Sequence, residues 1–130
     1  MPGSSLELDG IRVYRVADHG PELRSGKDVV DLIGVASEHA PAFIGIPVER
    51  LGDDFFDLRT RIAGEIAQKF AMYRARVAII GDISQRIATS KSLAAFVAES
   101  NRGRDLWFVE NLQDLANRLA KYRGGAEASL

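Results

Sequence analysis

Three runs of consecutive apolar residues constrain this chain most: Ala42 to Ile46, Val77 to Ile80 and Leu106 to Val109. Each is too short for an ordinary helix, and none alternates with polar residues. Such runs suit strands buried on both faces. The stretches between them repeat apolar residues at three- and four-residue spacing, the period of a helix. Buried strands separated by helices fold as a mainly parallel sheet with right-handed crossovers.

Ahead of these runs, Leu6 to Leu8 and Ile11 to Val16 flank Asp9-Gly10. Both turn residues tolerate positive φ, so the segment predicts a β-hairpin. Ser25 to Glu38 predicts a helix, with Val29, Leu32, Ile33 and Ala36 on one face and Ser25 with Asp28 as a capping pair. The longest predicted helix runs from Asp53 to Tyr73, striped by Phe55, Leu58, Ile62, Ile66, Phe70 and Tyr73. Gly64 inside it costs about 1 kcal/mol relative to alanine, which predicts a close approach by another element. Residues 82–90 read as a polar loop. Ser90 to Ser100 predicts a helix with Leu93, Phe96 and Val97 inward. Asn111 caps a last helix that carries Leu112, Leu115, Ala116, Leu119 and Tyr122 on one face. Gly124 to Leu130 reads as a frayed tail.

The expected fold is therefore a single α/β domain over residues 1–130, with an ordered core at 5–123. Its element order is β-β-α-β-α-β-α-β-α, a mixed, mainly parallel five-stranded sheet with about four helices. A sheet face left uncovered would meet another subunit, so a homodimer stays open.

Composition narrows the chemistry. The chain has 130 residues, a size that buries a core without staples. It contains no cysteine, which removes disulfides, thiolate nucleophiles and thiolate zinc sites. Net charge is −1, without the basic surplus that nucleic acid demands. No apolar run approaches the ~20 residues of a membrane span. Met1 to Ser5 lacks the features of a signal peptide, so the cytoplasm is the expected location.

The most site-like segment follows the second buried strand: Gly81-Asp82-Ile83-Ser84, continuing through Thr89-Ser90-Lys91-Ser92. Open α/β sheets bind ligands beyond the carboxyl ends of their strands. Asp82, Ser84, Ser90 and Lys91 are the candidate ligand-binding residues, with Asp57, Glu99 and Asn101 as additions. The competing reading makes Gly81 a strand breaker and Ser90 a helix cap. Asp53, Asp54 and Asp57 form an acidic cluster that favourable interaction with a helix start explains without a metal. His19 and His39 lack metal-ligand spacing and read as solvated loop residues. Arg102-Gly103-Arg104 reads as a helix exit with basic residues near the negative end of the dipole. Asp54, Phe55 and Phe56 are candidate partner contacts, with one phenylalanine expected to be partly exposed. The sequence implies no catalytic set, no metal and no cofactor.

Phe55-Phe56-Asp57-Leu58, Ile62-Ala63-Gly64-Glu65-Ile66, Gln68-Lys69-Phe70 and Tyr73-Arg74 resemble a bacterial family described as domain of unknown function 4180. Val77 to Ser84, Phe96 and Glu99 to Gly103 carry the same resemblance. It covers nearly the whole chain and implies no activity. The element order also resembles the STAS domains of anti-anti-sigma factors and sulfate transporters. Those domains carry a phosphorylatable Ser or Thr near a helix start, where Leu51 to Phe56 offers neither. Thr60, the nearest hydroxyl, is expected well inside the helix. The resemblance favours a non-catalytic regulatory or protein-interaction module. The alternative is a small-ligand or enzyme site in the 82–92 segment.

Overall fold

In the computed structural model, which describes residues 3–128, five strands form one sheet in the order β1-β2-β3-β4-β5. They are β1 (Gly3–Leu8), β2 (Ile11–Val16), β3 (Phe43–Pro47), β4 (Val77–Ile80) and β5 (Leu106–Val109). β1 and β2 pair antiparallel across Asp9 and Gly10, whose φ values of 52° and 81° are those of a two-residue hairpin turn. The remaining neighbours are parallel. The helices are α1 (Gly26–Ser37), α2 (Asp53–Phe56), α3 (Ile62–Met72), α4 (Ser84–Ala88), α5 (Lys91–Arg102) and α6 (Leu112–Ala128). Side chains beyond Lys121, including Tyr122 and the expected tail from Gly124 to Leu130, lie outside the described set.

Strand alternation sorts the core into two layers. Tyr14, Val16, Ile44, Ile46, Val77 and Ile79 face α1, α3 and α5, which contribute Val29, Ala63, Ile66, Phe70, Leu93 and Val97. Val13, Phe43, Ala78, Trp107 and Val109 face the other way, onto Leu115 and Leu119 of α6. One helix therefore covers the second face, with Leu6, Leu8 and Ile11 of the hairpin at its margin. Arg118 fastens α6 from the side: its guanidinium lies 4.1 Å from the Trp107 ring centre and donates to the carbonyl oxygen of Asn101.

The number of helices differs from the expected four, for local reasons. The predicted helix from Asp53 to Tyr73 is broken at Asp57 to Arg61. Asp57 is extended (φ −95°, ψ 100°) and Arg61 is left-handed (φ 66°), with a 3-10 turn at Leu58–Thr60 between them. Side chains compete there with the helical ladder. The Asp57 carboxylate accepts from the Arg59 N–H at 3.1 Å. Thr60 Oγ1 donates to the carbonyls of Asp54 and Asp57 at 2.7 and 2.8 Å. Thr60 thus precedes α3 instead of lying inside a helix. The polar loop expected at 82–90 contains α4, whose start is held by Asp82 Oδ1 accepting from Ser84 N–H at 2.9 Å. Gly64 is also corrected: a Cβ there would meet nothing within 4 Å, so no close approach explains it.

Candidate functional site

The chain connectivity brings α2, α4 and the start of α5 to one rim, beyond the carboxyl ends of β3 and β4. Between them lies an open cleft of about 390 Å³, lined by Asp53, Phe56, Asp57, Leu58, Arg59, Arg86, Thr89, Ser90, Ser92 and Leu93. Phe56 forms an apolar wall, held edge-on to Phe55 with ring centres 5.0 Å apart. The Arg86 guanidinium lies 4.4 Å from the Phe56 ring centre, a cation–π arrangement that limits its freedom. Arg86 Nη2 also donates to Asp53 Oδ1 at 2.8 Å.

In the same cleft, Arg59 grips Asp57 with two bonds, Nε to Oδ1 at 3.0 Å and Nη2 to Oδ2 at 2.9 Å. That side-chain pairing, helped by the Arg59 backbone N–H, holds the Asp57 carboxyl below its ordinary pKa. Ser90 caps α5 by accepting from Leu93 N–H at 3.1 Å, and its hydroxyl lies 3.4 Å from that of Ser92. The cleft thus combines two arginines, Arg59 paired bidentately with Asp57 and Arg86 singly with Asp53, two adjacent hydroxyls and a phenyl wall. Such groups recognise an oxyanion attached to an apolar or planar body.

The predicted ligand set does not assemble as one site. Ser90 lines this cleft, but Asp82 and Ser84 line a second one of about 250 Å³ with Gly81, Asn101, Phe108 and Glu110. Lys91 borders neither. Asp82 is occupied just ahead of α4, where hydrogen bonds from Ser84 lower its pKa. Of the additions, Asp57 is in the first cleft and Asn101 in the second, whereas Glu99 pairs with Arg102. Phe55 and Phe56 are 2% and 6% exposed, so neither is the partly exposed contact expected; Asp54 alone of that trio is exposed. His39 lies in the turn after α1, as expected of a connection, but is half-buried rather than fully solvated. Its Nδ1 lies 2.8 Å from Ser5 Oγ and its ring sits 4.8 Å from that of Tyr14. Sequence reasoning missed Arg59 and Arg86. The signal available for Arg86 was the Ile83 and Ile87 pair, four residues apart, which marks a helical turn.

Residues 8–119 match the family described as Domain of unknown function (DUF4180). The chain belongs to this family. No curated protein and no solved structure matches it. For this DUF4180 protein, no helix among the described residues is long and apolar enough to cross a membrane.

Proposed function

We propose that the cleft between α2, α4 and α5 binds a small ligand through an oxyanion, phosphate or carboxylate, as a sensing or carrier function. The observation that carries this reading is Arg86. Its guanidinium is oriented by the Phe56 ring, and its anionic partner Asp53 has a side chain 92% exposed. A surface pair of that kind contributes only about 0–1 kcal/mol, so an incoming anion displaces Asp53 at little cost. Ser90 and Ser92 line the same cleft and complete the contact.

The test is calorimetric titration of small phosphorylated and carboxylated metabolites against the native chain and an Arg86→Lys variant. Lysine keeps the charge but loses the fork. Binding that falls about tenfold or more in Arg86→Lys supports the cleft. Ligands that bind both proteins equally would place the site elsewhere.

A regulatory interaction module of STAS type in a bacterial cytoplasm is the second reading. The sequential strand order, with three crossover helices on one face, supports it. Its contact surface moves away from the buried Phe55 and Phe56. Met72 and Tyr73, 65% and 50% exposed at the end of α3, are the most exposed large apolar side chains among the described residues and offer a contact.

A further inference from the structure

The parity of the β1–β2 hairpin determines which backbone groups of β1 are free. The pair that flanks a two-residue turn is the hydrogen-bonded kind, here Leu8 with Ile11. Alternation then makes Leu6–Val13 and Ser4–Arg15 bonded pairs and turns Gly3, Ser5 and Glu7 outward. An independent bond agrees: Ala42 N–H donates to the Arg12 carbonyl at 2.9 Å, so Arg12, opposite Glu7, faces β3. β1 is an edge strand with six residues in unbroken register. Natural edges are guarded by lysine, proline or bulges, and Gly3–Leu8 has none of these. Its one charge, Glu7, sits directly across from Arg12.

A second observation falls at the same edge. Tyr14 Oη is buried without a hydrogen-bond partner among the described residues. It lies over Gly3, where an added Cβ would come within 2.9 Å of it. A hydroxyl buried unpaired loses its hydrogen bonds to water and gains none in return, which favours a partner for it.

We propose that a second copy of this chain pairs antiparallel with β1 about a two-fold axis at Ser5. Ser5 then faces its own counterpart, and Gly3 faces Glu7 of the partner subunit. The three outward residues of each copy exchange about six backbone hydrogen bonds. Shifting the register by two residues either way lowers this to about four. A shift of four toward the hairpin turn sets the two Glu7 carboxylates against each other. In the proposed register, Gly3 presents no side chain, and Glu7 of the partner subunit lies on the face that holds Tyr14. Its carboxylate accepts the hydrogen bond that Tyr14 lacks. The seam lies on β1, away from the α2–α4–α5 cleft, and stands or falls independently of ligand binding.

Sedimentation velocity of the full chain across a concentration series tests this. The native chain is expected to sediment as two chains in reversible equilibrium with one. Ser5→Pro removes an outward N–H without touching the β2 ladder, a placement edge strands tolerate, and gives up only the exposed side-chain bond of Ser5 to His39. It should weaken association by about tenfold or more. Glu7→Ala and Tyr14→Phe should each weaken it several-fold, with the double variant no weaker than either single one, as for partners in one bond. Glu7 is exposed, so Glu7→Ala keeps the test decisive should Ser5→Pro misfold. A native chain that stays single at every concentration, or a dimer untouched by folded Ser5→Pro, overturns the seam. Additive losses for Glu7→Ala and Tyr14→Phe overturn the Tyr14–Glu7 bond.

Discussion

Replacing Leu115 by alanine tests whether α6 alone closes the second face of the sheet. Leu115 is fully buried and packs in the cluster of Val13, Phe43, Ala78, Trp107, Val109 and Leu119. The substitution removes three carbons, about 2.4 kcal/mol of transfer free energy at ~0.8 per carbon. The sheet beneath collapses little into the space, because β2, β3 and β4, which carry Val13, Phe43 and Ala78, are hydrogen-bonded on both sides, so a cavity term adds to this. Leucine-to-alanine changes in cores cost about 2–5 kcal/mol, and a value near 3 is expected here. Domains of this kind have about 5–15 kcal/mol of total stability, so the loss is large but leaves a folded protein. The assay is built in: Trp107 is the single tryptophan, 2% exposed. Urea unfolding followed by its fluorescence should show a midpoint about 1–2 M lower, at an m-value near 2 kcal/mol/M. A loss below about 1 kcal/mol would refute the reasoning, since that is the cost of a site that relaxes or was never sealed.

Three further outcomes are expected. Gly64→Ala should stabilise the chain by about 0.4–1 kcal/mol, because the added methyl meets nothing within 4 Å and the position is helical; thermal melting checks it. Gly81→Ala should destabilise by about 1–3 kcal/mol, since Gly81 has φ 152° and the new Cβ would fall 2.3 Å from Val48 Cγ2; equilibrium unfolding reads the loss. The lowered pKa of Asp82 means that its contribution is complete above pH ~4 and is lost as pH falls through the folded-state value. Asp82→Asn should therefore flatten the acid limb of the stability curve, and an unchanged limb would show that the Asp82–Ser84 bond ahead of α4 does not couple to folding.

Much of the fold was legible in residue order. The apolar runs at 42–46, 77–80 and 106–109 predicted strands that match β3, β4 and β5 to within a residue, because a buried parallel strand leaves no polar position to blur it. Asp9-Gly10 determined the hairpin, and Ser25, Ser90 and Asn111 each accept the backbone bond expected of a helix cap. The break at Asp57 to Arg61 was not legible. Apolar spacing ran on through it, and the competing bonds of Asp57 and Thr60 become decisive only when burying both Phe55 and Phe56 rewards the bend. The candidate cleft was half legible. Ser90 was found from its place after a strand, a local property. Arg59, Arg86 and Phe56 join it only because β3 and β4 are neighbours in the sheet, which brings segments some thirty residues apart to one rim. The sequence by itself determined the five strands with their direction and the three capped helices α1, α5 and α6. Tertiary structure decided which polar groups converge, because convergence depends on strand adjacency and helix placement, and no local periodicity encodes either.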